Sequence, residues 1–286
     1  MKRLLVTGCG GQMGRAINQF YAGNSEIELI NTDVGLPGVT KLDITNMDEV
    51  MRLIKAVKPY AVLNCAAHTA VDACESQVDS AYRINAIGPR NLSIAATEVG
   101  AKMLQISTDY VFEGTGTRPY IEFDRPSPQS VYGATKLAGE QFVQQFAKDF
   151  FIIRTAWLYG EGKNFVRTML NLSQSHDLVR VVRDQFGTPT SAKELTKAID
   201  HLIWTENYGV FHGTCEGMCS WADFAKEIFR LAGKPTQVEA ITTAEYPAAA
   251  AIRPAYSVME NYMLKLTTDF MFADWQDAIV DYIREL

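Results

Sequence analysis

The first half of the chain alternates between short runs that are apolar almost throughout and longer stretches in which apolar residues return every three or four positions. The runs RLLVT, IELINT, YAVLNC, KMLQIS and FFIIRT are rich in Val, Ile, Leu and Phe and show little polar alternation. Strands of that kind are buried on both faces, as in a parallel sheet. Between them, NMDEVMRLIKAVKP has helical spacing, opens on the capping candidates Thr45 and Asn46, and closes at Pro59. A further short strand before KLDITN makes YAVLNC the fourth and KMLQIS the fifth. This alternation predicts an α/β fold, a Rossmann-like doubly wound parallel sheet.

The second half is less regular. NFVRTMLNLSQ, SAKELTKAIDHLIW, SWADFAKEIFRLAG and DWQDAIVDYIREL read as helices, LVRVV and GVFHG as short extended pieces, and YPAAAAIRPAYS as a loop. The expected division is an NAD(P)-binding Rossmann domain over residues 1–156 and a smaller mixed α/β substrate-binding lobe over 157–286, on the C-terminal side, with some of its segments returning to the first domain.

Charge and composition narrow the function. The chain has 286 residues, with 27 Lys and Arg against 33 Asp and Glu, and lacks a basic run that could track a phosphate backbone, so nucleic acid is excluded as a partner. The opening MKRLLVTGCGG has too short an apolar run for a signal peptide or membrane span. Five scattered cysteines, an odd number, fit a reducing cytoplasm rather than a disulfide framework. Cys215 and Cys219 in GTCEGMCSW have no second Cys or His pair at zinc-site spacing, so they read as buried small apolar residues and no metal is assigned.

LLVTGCGGQMG places Gly8, Gly11 and Gly14 directly after the first strand and at the start of a helix. Glycine there permits a tight turn and lets backbone N–H groups approach a pyrophosphate at the helix N-terminus. About twenty residues on, INTD brings Asp33 to the end of the second strand, where an acid takes adenosine ribose hydroxyls. Asp43, in KLDITN, stands either at the rim of an adenine site or simply beside a helix cap. Ala66 and Ala67 in NCAAHTAVD are small enough for the backbone to run against a flat cofactor. His68 reads as a hydrogen-bonded structural residue or a cofactor-edge contact rather than a base, having no visible Ser or Cys partner.

QISTDYVF brings Ser107 and Thr108 to the carboxyl edge of the sheet, where ligands of open α/β sheets bind. About one crossover later, in SPQSVYGATKLAGE, Tyr132 and Lys136 begin a helix signalled by Pro128 and Ser130, and their spacing puts both on one face. A Tyr-x-x-x-Lys pair alone is commonplace. With the glycine loop and a strand-end hydroxyl it becomes a proton-transfer group: a ketone accepting hydride develops negative charge on oxygen, which Thr108 can hydrogen-bond and Tyr132 can protonate. A free tyrosine has a pKa of about 10, and Lys136 is expected to lower it.

These motifs, with RTAWLYG, DQFGTPT and RPAYS, resemble over essentially the whole chain the extended short-chain dehydrogenase/reductases, and within them the dTDP-4-dehydrorhamnose reductases. The resemblance implies NADPH- or NADH-dependent reduction of the 4-keto group of a dTDP-6-deoxy sugar, giving dTDP-L-rhamnose for cell-surface polysaccharide. It implies cofactor contacts at Gly11, Gln12, Met13, Asp33, Asp43, Ile44, Ala67, His68, Thr69, Ile106, Tyr132 and Lys136, and sugar contacts at Thr108, Asp109 and Trp157. Trp157 would otherwise read as a core or interface aromatic. Arg253 is a candidate for the nucleotide pyrophosphate or, equally, a surface ion pair. The 4,6-dehydratases of the superfamily carry an acidic pair after the strand-end threonine; here Thr108-Asp109-Tyr110 lacks the second acid, which favours simple reduction. A different class, the regulatory subunit of methionine adenosyltransferase, resembles the same reductases, as do other nucleotide-sugar reductases and epimerases. Some reductases of this kind form a magnesium-linked dimer through glutamates, and Glu194 and Glu285 stand in comparable places as two exposed acids; monomer and homodimer both stay open. For the cofactor, Asp33 favours NADH over a like-charged 2′-phosphate, while Arg15 could swing toward that phosphate, so any NADPH preference is expected to be modest.

Overall fold

Seven parallel strands form one sheet in the computed structural model, which describes residues 1–246 and 249–286. In chain order the elements of the first half are β1 (Lys2–Thr7), α1 (Gln12–Phe20), β2 (Ile27–Asp33), β3 (Thr40–Lys41), α2 (Met47–Val57), β4 (Ala61–Asn64), α3 (Val71–Ser76), α4 (Val78–Tyr82), a π-helical turn Arg83–Ile87, α5 (Gly88–Val99), β5 (Lys102–Thr108), α6 (Val131–Phe146) and β6 (Phe150–Thr155). There follow β7 (Leu158–Tyr159), α7 (Phe165–Leu172), β8 (Leu178–Val182), β9 (Phe186–Gly187), β10 (Thr190–Ser191), α8 (Ala192–Ile203), β11 (Gly209–His212), β12 (Cys219–Ser220), α9 (Trp221–Leu231), β13 (Gln237–Ile241), α10 (Tyr262–Thr267) and α11 (Trp275–Arg284). The sheet order β11-β6-β5-β4-β1-β2-β3 reverses direction of growth between β1 and β4, the crevice at which doubly wound sheets bind ligands.

The apolar runs become the central strands because every residue of β4 and the last four of β1 are buried. Leu4, Val6, Leu63 and Phe151 pack with α1 and α8 on one face; Leu5, Val62, Met103 and Ile152 pack with α2, α5 and α6 on the other. The α2 helix starts where the Asn46 side chain accepts from the N–H groups of Asp48 and Glu49, and stops at Lys58 in the left-handed conformation just before Pro59. GVFH, from the second half, is not part of a separate lobe's sheet: it pairs with β6 as the seventh strand.

The remaining elements gather around a second core in which Tyr159, Phe224, Ile228, Trp275 and Ile279 meet, with β13 pairing parallel to β8. Cys215 and Cys219 lie in this core, both buried, and burial pushes the Cys215 thiol up to about 12. Of the loop expected over YPAAAAIRPAYS, Pro247 and Ala248 lie outside the described residues; positions 249–255 carry neither helix nor strand.

Candidate active site

The turn after β1 leads straight into α1, and its geometry demands glycine at Gly8. Its φ is +63°, and a Cβ there would stand 2.7 Å from the Cα of Ala66. Gly11 is the N-cap of α1 and supplies no side-chain cap; the first turn carries no acidic residue. Gly14 packs in that turn against Cys9. Gln12 and Met13 line a cavity of about 500 Å³ together with Gly11, and the Gln12 Oε1 atom is buried with no partner among the described residues. Uncapped N–H groups at a helix start, a close backbone approach and a free buried carbonyl oxygen fit a dinucleotide's pyrophosphate and amide groups.

Gly11, Ala66 and Ala67 also border a second cavity of about 440 Å³, edged by Gly8, Asp33, Asp43 and Ile44. Asp33 accepts from the N–H of Gly10 at 3.2 Å and of Gly35 at 3.0 Å, which fixes its carboxylate against the glycine turn. Asp43 accepts from both the N–H and the hydroxyl of Thr45, so it shapes the entry to α2 and also faces the cavity. Arg15 does not turn toward Asp33: its Nε donates to the Gly10 carbonyl at 2.8 Å and its other end pairs with Glu161. Arg83, from the π-helical turn, lines this cavity too.

Thr69, Ile106, Thr108, Asp109, Tyr132, Lys136 and Trp157 line the first cavity. The β5 strand ends at Thr108, whose hydroxyl donates to Asp109 Oδ1 at 2.9 Å and accepts from the Tyr110 N–H at 3.2 Å. Ser130 caps α6, and the first turns of that helix carry Tyr132 and Lys136. The ring of Tyr110 meets that of Tyr132 edge-on, with centroids 5.4 Å apart. Burial of the Asp109 carboxyl pushes it up to about 6.

The expected lowering of the Tyr132 pKa by Lys136 is corrected here. Burial raises the phenol well above its ordinary value, with only Thr108 beside it pulling back. The reason lies in where the ammonium goes: Lys136 Nζ donates to the Ile106 carbonyl at 2.6 Å, and burial lowers Lys136 to about 8. The site therefore holds a protonated phenol next to a desolvated cation.

Of the two readings of His68, its contacts fit the hydrogen-bonded structural one. It does not line either cavity; Nε2 pairs with Gln77 Oε1 at 3.1 Å and Nδ1 lies 3.5 Å from the Cys74 sulfur, a cysteine partner the sequence reading did not find. Its backbone is clamped by the Asn85 amide, which accepts from its N–H and donates to its carbonyl. Glu194 is not an exposed acid: it is buried, paired with Lys197, and accepts from the Ala273 N–H, whereas Glu285 is exposed and paired with Lys193. Among the described residues there is no cluster of three or more His, Cys, Asp or Glu that could hold a metal.

Trp157 has a positive φ of 48°, a strained backbone for a bulky residue, and lies flat on Trp221 with ring centroids 3.5 Å apart. Both indoles line the first cavity and a third one of about 790 Å³, which Tyr110 also borders. Arg253 edges the third cavity, donating to Asp72 Oδ2 at 2.7 Å and to the Tyr110 hydroxyl at 3.2 Å. It is thus both cavity wall and ion pair. Trp221, Tyr110 and Asp72 are the site residues the sequence reading missed. Trp221 carried one signal, an aromatic at the very start of the SWADF helix, which the helical pattern absorbed.

A doubly wound parallel sheet with a glycine turn after β1 and a Tyr-x-x-x-Lys pair at its carboxyl edge defines an oxidoreductase of the short-chain dehydrogenase/reductase class. Residues 1–286 match the family model described as the RmlD substrate binding domain, and the chain belongs to that family. It is 52% identical to a crystal structure of a dTDP-4-dehydrorhamnose reductase from Clostridium acetobutylicum ATCC 824, over 99% of both chains and with a TM-score of 0.95. It is 40% identical to the dTDP-4-dehydrorhamnose reductase of Bacillus anthracis str. Ames in complex with NADP, over 100% of this chain and 99% of that one, with a TM-score of 0.94. The dTDP-4-dehydrorhamnose reductase of Aggregatibacter actinomycetemcomitans is 38% identical over 98% of this chain and 97% of its own. Among the described residues no helix is long and apolar enough to cross a membrane.

Proposed function

We propose that the protein reduces the 4-keto group of dTDP-4-dehydro-L-rhamnose to dTDP-L-rhamnose with NADPH or NADH. The observation that carries this reading is that the first cavity, lined by Tyr132, Thr108 and Trp157, shares Gly11, Ala66 and Ala67 with the one edged by Asp33, and Tyr110, Trp157 and Trp221 with the chamber edged by Arg253. That arrangement accommodates a dinucleotide and a nucleotide sugar meeting end to end.

A bound nicotinamide supplies the hydride. Tyr132 donates its proton to the ketone oxygen as charge develops there; a phenol kept protonated by burial is loaded for that transfer, since an alkoxide is the stronger base. Thr108, on turning its one hydroxyl proton away from Asp109 Oδ1, hydrogen-bonds the same oxygen, and Lys136 holds a cationic field beside it. Trp157, backed by Trp221, offers a flat wall on which the sugar ring is set. Asp109 contacts the sugar from the buried side. Arg253, released from Asp72 or shared with it, meets the diphosphate through its planar fork. Gly8, Gly11, Gln12, Met13, Gly14, Ala66, Ala67, Thr69 and Ile106 shape the dinucleotide trough, with Asp33, Asp43 and Ile44 at its adenosine end.

The same reading divides the chain into a dinucleotide-binding part over 1–156 and a mainly substrate-binding part over 157–286, and places a monomer or homodimer in the cytoplasm. Enzymatically prepared dTDP-4-dehydro-L-rhamnose, loss of NAD(P)H absorbance and identification of the product sugar test it. No oxidation of NAD(P)H with that substrate would remove the reading.

A further inference from the structure

Under the floor of the first cavity lies a charged pair to which the reaction above gives no role. Glu140 follows Lys136 by one turn on α6 and its side chain is 0% exposed. Arg154 of β6 grips it with two nitrogens, Nη2 to Oε2 at 2.7 Å and Nε to Oε1 at 3.0 Å, and the Ser107 hydroxyl of β5 donates to Oε1 as well. As a stabilising device such a pair is poor, because desolvation of two ions offsets most of their attraction. Its position is more telling. Ser107 lies between Ile106, whose carbonyl holds the Lys136 ammonium, and Thr108; Arg154 is followed by Thr155 and Ala156, which with Trp157 line the cavity.

Lys136 is faced by Glu140 and Tyr132 from its own helix, by Cys65 at the end of β4, and by the Ile106 carbonyl of β5, with Asp109 beyond Tyr132 and Arg154 on the far side of the Glu140 contact. Glu140 is the carboxylate whose charge opposes the desolvation of that ammonium.

We propose that Glu140 is a positioning residue: its carboxylate, clamped by Arg154 and Ser107 one turn from Lys136, keeps that ammonium charged and locks α6 to the two strands that carry the site. The role in turnover rests on the reductase reading; the effect on Lys136 does not. Removing the negative charge makes it easier for Lys136 to lose its proton, so its titration moves to lower pH.

The test is an NMR titration of the Lys136 ¹³Cε signal, identified by its loss in Lys136→Arg, on the full chain without added ligand. Wild type is compared with Glu140→Gln and with the double variant Glu140→Gln/Arg154→Gln, which leaves no buried guanidinium without its carboxylate. A lower Lys136 midpoint in either variant, with the falling basic limb of kcat/KM shifted in parallel, is the expected result. An unchanged midpoint, or a double variant that fails to fold, assigns the pair to the fold and overturns the proposal. A shifted midpoint with an unshifted kcat/KM limb leaves the Glu140–Lys136 coupling standing and instead removes Lys136 from the reductase mechanism.

Discussion

The Lys136 ammonium donates to the carbonyl of Ile106 at 2.6 Å, so the cation of the Tyr-x-x-x-Lys pair is anchored to β5 and not to the phenol. Burial lowers Lys136 to about 8. The charged form is the one that stabilises a developing negative oxygen, and it predominates below that value. Activity is therefore predicted to fall as pH rises through about 8, and Lys136→Ala is predicted to lose both rate and cofactor affinity. A kcat/KM profile flat from pH 7 to pH 10 would show that this charge is not used.

Tyr132→Phe removes the donor hydroxyl and leaves the edge-on packing against Tyr110 in place. Fold and cofactor affinity should persist while kcat drops on the order of a hundredfold to ten-thousandfold. Near-normal turnover in this variant would take the proton-donor role away from Tyr132.

Gly187→Ala tests the tryptophan wall. A Cβ at Gly187 would stand 2.5 Å from Cε2 of Trp157, too close for the indole to stay where it is. Overpacking of this kind costs about 1–3 kcal/mol. Displacement of the ring is expected to lower kcat/KM by up to roughly a hundredfold, in line with the cost of small misplacements at a reacting centre. Thermal melting and steady-state kinetics on the one variant read both effects; full activity would free Trp157 from any part in setting the sugar.

These variants also mark how much the sequence alone reveals. Strand and helix order, the carboxyl edge of the sheet as the ligand side and the convergence of Gly11, Thr108, Tyr132 and Lys136 follow from periodicity and turn chemistry, because each rests on contacts close in the chain or on one sheet edge. The partners that decide electrostatics do not. Lys136 bonding to Ile106, Arg15 pairing with Glu161, and Trp221 lying under Trp157 all join distant segments, and no spacing rule points to them. The sign of the Tyr132 shift went the other way for the same reason: proximity to a cation is visible in sequence, desolvation is not.

Asp109→Asn should separate stability from function. Burial raises the Asp109 carboxyl to about 6 in the folded protein, above its unfolded value, so its contribution is fully present at low pH and is lost as pH rises through about 6. The amide variant is predicted to gain on the order of 1–3 kcal/mol relative to wild type at pH 8 and only a few tenths at pH 4, while losing activity. Urea melts at the two pH values check this; equal differences at both would mean the carboxyl is not raised.

Asp33→Ala addresses cofactor choice. The Asp33 carboxylate is fixed by the N–H groups of Gly10 and Gly35 at the edge of the second cavity, and in the proposed reading it would accept ribose hydroxyls and repel a 2′-phosphate. NADH is predicted to support turnover in the wild type, and the variant to shift the ratio of kcat/KM values toward NADPH. Strict NADPH dependence unchanged by the substitution would place Asp33 away from the ribose.

The most direct test is a single coupled experiment: purified protein, dTDP-4-dehydro-L-rhamnose and NADPH or NADH, with cofactor oxidation followed continuously and the product sugar identified. Stoichiometric oxidation of the cofactor with formation of dTDP-L-rhamnose is the predicted result. Tight binding of the dinucleotide without turnover, or a product reduced anywhere other than C4, would contradict the reductase account.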